Sequence, residues 1–179
     1  MACTATLNGF GNSCETSKGG VKAIWIAPYK EGIATLTTSS SGEVGKVSIA
    51  QEDIAKFKVF YIKQNTTSFT STLTTDPANG VNYVSTVISI VFTKMNTRKR
   101  IEMSALAVND VNIIVQDANN SYWFLGLDEA VTATNATGET GTAKTDGNKY
   151  TIEFTDDSDT YPIALNAASV TLMKSIAKQ

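Results

Sequence analysis

Histidine is absent from all 179 residues. Its absence excludes a triad with a His base and every His-ligated metal centre. Cysteine occurs twice, as Cys3 and Cys14. Two thiols without a histidine make a poor zinc set, and they read as free thiols in a reducing compartment. Arginine also occurs twice, as Arg98 and Arg100, and the net charge is −2 with a pI near 5.2. Proteins that grip DNA phosphates are usually basic, so tight nucleic-acid binding is disfavoured. No stretch approaches the roughly 18 apolar residues of a membrane span. The opening Met1-Ala2-Cys3-Thr4-Ala5-Thr6 lacks the charged start and apolar run of a signal peptide, so synthesis and folding in a cytoplasm are expected.

What the chain does have is threonine, serine, valine and isoleucine, and branched residues favour strands. Turn signals recur at Gly19-Gly20, Ser41-Gly42, Asn79-Gly80, Asn119-Asn120 and Asp146-Gly147. Strands and turns at such spacing predict a mostly-β sandwich or barrel-like domain. Val21 to Pro28 is apolar on both faces and predicts a central strand, with Val21, Ala23, Trp25 and Ala27 on one side. Strands are also expected at Ile33 to Thr38, Val44 to Ile49, Phe57 to Lys63, Val111 to Gln116, Tyr122 to Leu125, Lys149 to Thr155 and Tyr161 to Leu165. A helical turn is expected near Gln51 to Ile54, and a short closing helix over Val170 to Ile176. Thr132 to Asn148 is weakly patterned.

Two features stand out. Thr66 to Met95 reads as one long hairpin that protrudes from a single domain spanning residues 1–179, with its turn at Asp76 to Gly80. Asn96 to Val108 has helical spacing, with Ile101, Ala105 and Val108 on one stripe, Leu106 beside them, and Asn96 or Thr97 as cap. Arg98 and Glu102 are spaced to pair. The cluster Arg98-Lys99-Arg100 then falls in the first helical turn, where positive charge opposes the helix dipole. Its alternative uses are an ion pair with a neighbouring subunit and a solvated helix face.

Other motifs carry little chemistry. Asp156-Asp157-Ser158-Asp159 reads as an acidic turn that lacks the spacing and bidentate glutamate of a calcium loop. Gly138 to Lys144 has the wrong spacing for a phosphate loop. No pair of carboxylates sits in a catalytic frame, and neither a cofactor nor a metal is expected. Trp25 and Trp123 both fall in strands, which favours core packing over ligand stacking.

One resemblance adds to this reading. Trp123-Phe124-Leu125-Gly126, then Thr140-Gly141-Thr142-Ala143, then Asp146-Gly147-Asn148-Lys149-Tyr150-Thr151-Ile152-Glu153-Phe154 resemble a run found in bacteriophage major tail and tail tube proteins. Lys149 departs from that run, which often has Gly there. The opening through Gly19-Gly20-Val21-Lys22 is similar to virion structural proteins of phages of Bacteroides-type bacteria. The resemblance implies a β-sandwich with one flanking helix and subunits in hexameric rings stacked into a tube. DNA would pass through that tube without specific binding. It implies no enzyme, self-association and contact with other virion proteins as partnerships, and a place in the phage tail after synthesis in the host cytoplasm. Subunit contacts are then expected at Phe69, Leu73 and Tyr83 of the hairpin, at Arg98, Lys99 and Arg100, and at Asp156 and Asp157. The alternatives are a capsid decoration, head fibre or baseplate-type subunit, and a carbohydrate-binding sandwich using its tryptophans.

Overall fold

A strand that is apolar on both faces needs cover on both sides, and that requirement organises the molecule. The computed structural model describes residues 17–38, 44–63 and 65–176. Both cysteines, the opening segment and the Ser41-Gly42 turn lie outside these residues. The first half of the chain forms β1 (Val21–Pro28), β2 (Ala34–Thr38), β3 (Val44–Ile49), the short helix α1 (Gln51–Ile54) and β4 (Lys58–Tyr61). It continues through β5 (Ser68–Asp76), β6 (Val81–Thr93) and the helix α2 (Thr97–Val108). The rest forms β7 (Val111–Asp117), β8 (Tyr122–Leu125), β9 (Thr132–Glu139), β10 (Lys149–Ser158), β11 (Ile163–Ala164) and the helix α3 (Ala167–Ile176).

The protein is a mostly-β sandwich with a flanking helix. A five-stranded sheet, ordered β11-β8-β7-β1-β4, lies in the middle. One of its faces packs on a four-stranded sheet ordered β5-β6-β10-β9. Ile24, Ile26, Ile113 and Val115 meet Ile88, Ile90, Ile152 and Phe154 there. The other face lies under the β2–β3 hairpin, α1 and α3. There Trp25, Ile114 and Phe124 meet Val47, Ile49, Ile54 and Met173.

The expected face assignment of β1 fails at one residue. A bulge between Val21 and Ala23 shifts the register on β7. Val21 therefore joins the inter-sheet core, while Ala23, Trp25 and Ala27 point to the opposite face. An inserted residue reverses the alternation on one side of itself.

Two polar devices hold the outer layer. The Asn166 side chain accepts from Ser169 N at 2.8 Å and caps α3. This cap starts the helix before the expected Val170. Ser169 Oγ in turn accepts from Ile49 N at 3.0 Å. The Asp53 carboxylate in α1 accepts from Lys30 Nζ at 2.9 Å and Lys56 Nζ at 2.7 Å, and these bonds hold its pKa below the ordinary carboxylate value.

Other departures from the sequence reading have local causes. β10 continues to Ser158, so the expected acidic turn is strand, and Asp156 is 3% exposed. The weakly patterned stretch contains β9, whose alternation is masked because its side chains are almost all exposed and polar. The long hairpin is not a free arm, because β6 pairs with β10 from Val84 to Thr93. Only its tip, from about Leu73 to Tyr83, passes beyond β10. In α2 the Asn96 cap forms as expected, accepting from Lys99 N at 2.8 Å. The buried residues of α2 are Met103 and Leu106, and the expected stripe faces solvent, with Ile101 57% and Val108 81% exposed. Met103 and Leu106 lie on the opposite side of the helix from Ile101 and Val108, and they are the pair that packs into the inter-sheet core.

Removing side-chain bulk tests both assignments. Ile24→Ala is expected to cost about 2–5 kcal/mol. Ile101→Ala, which sequence periodicity alone would place in the core, is expected to stay within about 0.5 kcal/mol. Urea unfolding followed by tryptophan fluorescence reads both.

Candidate self-assembly surface

The four-stranded sheet presents one face to the core and one to solvent. Register assigns the outer rows. Thr70, Thr72 and Thr74 of β5 stand beside Val87, Ser85 and Tyr83 of β6. Val87, Ser89 and Val91 in turn stand beside Thr155, Glu153 and Thr151 of β10, and Thr155 and Thr151 face Thr132 and Thr137 of β9. The face is dominated by small hydroxyl side chains. Its charges are Lys149 and Glu139, paired at 2.9 Å, together with Glu153 and Asp157. The sum over this face is therefore acidic.

Neither lateral edge of this sheet has a further strand partner among the described residues, and α2 packs beside β9. β5 and β9 stand at its two ends. β5 has no lysine, arginine or proline across Ser68–Asp76, and β9 has none across Thr132–Glu139. Lysine and proline are usual guards of a free edge, and so is a bulge, which β9 has where it pairs with Glu153 and Phe154 and β5 lacks. The strands alternate antiparallel through β5, β6, β10 and β9, so the two edges run in opposite directions.

The expected contact residues separate into two groups. Phe69 packs against the inter-sheet core opposite Ile88, so it serves the subunit itself. Lys99 is also engaged internally, because its Nζ donates to the Thr93 carbonyl at the end of β6. That bond supplies the local reason for a cation in the first turn of α2. Asp156 points into the protein. Leu73, Tyr83, Arg98, Arg100 and Asp157 remain at the surface. The expected Arg98–Glu102 pair is not among the ion pairs of the described residues.

Sequence reading missed a buried polar node. Gly126 N donates to Asp156 Oδ1 at 3.2 Å, and the Gly126 carbonyl accepts from Asn112 Nδ2 at 2.8 Å. Asn112 Oδ1 accepts from Lys30 N at 2.9 Å, and Asn112 is fully buried. One glycine thus links both sheets and the loop after β1. Its φ is +87°, and an added Cβ would lie 2.9 Å from Asn112 Nδ2 and 3.3 Å from the Val111 carbonyl. An asparagine inside the apolar run Val111-Asn112-Ile113-Ile114-Val115 was the available signal, since a buried polar side chain requires partners. Burial pushes the Asp156 carboxyl up to about 6, against the bonds from Gly126 and Ser158, with repulsion from Asp128 and Asp157 adding to the rise.

The tryptophans are poorly placed for a glycan platform. Trp25 is 1% exposed and packs on Tyr122 with ring centres 5.5 Å apart. Trp123 is half-buried, and its Nε1 donates to Asp117 Oδ2 at 3.1 Å. Among the described residues no three Cys, Asp or Glu side chains gather as a metal site, and no helix is long and apolar enough to cross a membrane.

No protein-family model matches the chain, and neither does any curated protein or solved structure.

Two outcomes are expected at the node. Gly126→Ala should cost about 2–4 kcal/mol through clash and positive φ, read by urea unfolding. Asp156 has a folded pKa above its ordinary 3.8. Its contribution to stability is therefore full below that ordinary value and is lost as pH rises through about 6. Asp156→Asn should flatten that dependence and raise stability near pH 8 by about 1–2 kcal/mol. Melting temperatures of both chains across pH 4 to 8 check the sign.

Proposed function

We propose that this protein is a structural subunit that closes into rings through the edges of its four-stranded sheet. The rings stack into a phage tail tube that conducts DNA. The observation that carries this reading is a pair of long, oppositely directed edges on one sheet without a further strand partner among the described residues, of which β5 has neither lysine, proline nor bulge. An even number of alternating strands leaves edges that pair antiparallel when copies are related by rotation. Each added copy then continues the alternation, and closure pairs both free edges of that sheet.

The solvent face of the same sheet suits a channel wall. A lining of threonine and serine with a few carboxylates gives phosphates nothing to neutralise, so DNA slides past it without the counterion release that drives binding. The net charge of −2 agrees with this. The resemblance of the Trp123 to Gly126 and Asp146 to Phe154 segments to tail tube proteins points the same way. On this reading the protein performs no catalysis, its main partner is itself, and it resides in the virion.

Electron microscopy of concentrated protein tests the proposal, with rings or tubes holding a central hole as the expected result. Thr70→Lys with Thr72→Lys should abolish them by placing cations along one edge, while far-UV circular dichroism and the melting temperature stay near wild type. Rings that persist with both lysines present would remove β5 as the closing edge. A stable monomer or trimer at every concentration would instead favour a capsid decoration or fibre subunit.

A further inference from the structure

Helix α2 carries its charge in reverse. The backbone dipole is positive at the start of a helix and negative at its end, so acids suit the first turn and bases the last. In α2 the first turn has no acid and holds Arg98, Lys99 and Arg100, and the last turn has no base. Asp110 stands just past its end. Lys99 has a use inside the subunit through its bond to the Thr93 carbonyl. Arg98 and Arg100 are exposed, and neither joins an ion pair among the described residues.

The same helix leaves an apolar row uncovered. Met103 and Leu106 are its buried side chains. Helical periodicity sets Ile101, Ser104, Ala105 and Val108 on the opposite side, and all four are exposed. The row contains no charge, and its middle, Ser104 and Ala105, is small enough for a second helix to approach closely. Glu102 lies off the row, on the flank that faces the groove between α2 and the strands β1 and β4.

We infer that two copies of this protein pair through α2, antiparallel, about a two-fold axis beside Ser104 and Ala105. Counting outward from that axis, Ile101 of one copy meets Val108 of the second. Arg98 and Arg100 then reach the last turn of the second helix and its Asp110, where the dipole is negative. Glu102 comes to Ala107, which is uncharged. The charge pattern selects a second copy as occupant, because the two ends of α2 are each ill-matched alone and complementary to one another. Antiparallel pairing also keeps the arginines of the two copies roughly 13 Å or more apart along the axis, whereas parallel pairing would bring them together. A two-fold contact is isologous and closes at two copies. One helix pair makes a contact below standard interface size, so the pairing is weak and concentration-dependent. The inference goes beyond the ring-and-tube reading, which leaves the outer face of α2 unused.

Disulfide trapping tests the pairing in a chain carrying Cys3→Ser and Cys14→Ser. Ile101→Cys and Val108→Cys are made as separate variants, mixed at high micromolar concentration and oxidised. A covalent dimer is expected from the mixture, because antiparallel pairing brings these two positions within disulfide reach. Neither variant alone should form one, since each position lies roughly 10 Å along the axis from its counterpart in the second copy. A dimer from either variant alone, or none from the mixture, would overturn the pairing. Arg98→Glu with Arg100→Glu, added to both variants, should lower the yield of dimer at least fivefold. The melting temperature should hold or rise, because acids suit that turn. An unchanged yield would overturn the proposal. The readout is the same whether or not rings form.

Discussion

Burial of the five-stranded sheet on both faces is the constraint from which the remaining architecture follows. β1 and β7 have no side that can meet water, so each needs a layer above and a layer below. The four-stranded sheet supplies one layer with its inward rows of isoleucine and phenylalanine. Among the described residues no second full sheet covers the other face, and a two-stranded hairpin and two helices supply the cover. That patchwork explains why polar fixtures concentrate there. The Asn166 cap, the Ser169 link to β3 and the doubly paired Asp53 hold pieces that have little backbone pairing of their own. The indole N–H of Trp25 is enclosed in this layer and has no acceptor among the described residues. Burying the large ring there outweighs the loss of one hydrogen bond.

The node at Gly126 works differently, because it couples the layers. A hydrophobic interface between sheets tolerates sliding, since apolar contacts are non-directional. Hydrogen bonds from one residue to Asn112 on the middle sheet and Asp156 on the outer sheet fix their offset. The relation between the packed core and the outer sheet's free edges is thereby set at one point. Placing a carboxylate there makes that point sensitive to protons.

Most of the fold is legible in the sequence because period-two alternation is strong where one face is wet. β10 and β5 can be read residue by residue on that basis, and β1 and β7 are recognisable as central from their lack of alternation. Three kinds of feature are not legible. The bulge at Lys22 moves Val21 across the sheet, and nothing local in the sequence marks it. In α2 apolar residues occur on both sides and Met103 and Leu106 take the buried one, so a stripe drawn through Ile101 and Val108 selects the solvent side. Asp156 resembles part of a turn because acidic residues at a strand end usually are, and its partner Gly126 lies thirty residues away in sequence. For the proposed assembly surface, Leu73, Tyr83 and Arg98 are reachable from the sequence, whereas the strand order that leaves β5 and β9 at the sheet's ends is not.

The unguarded edge of β5 also has a consequence for the isolated chain. A row of free amides and carbonyls does not recognise identity, and any extended peptide of suitable length satisfies it. With no lysine or proline to refuse a wrong neighbour, each subunit is a template for misassociation from the moment it folds. On the proposed ring reading, correct use of this edge depends on timing and concentration: the right neighbour has to arrive before the wrong one, and the selectivity is kinetic.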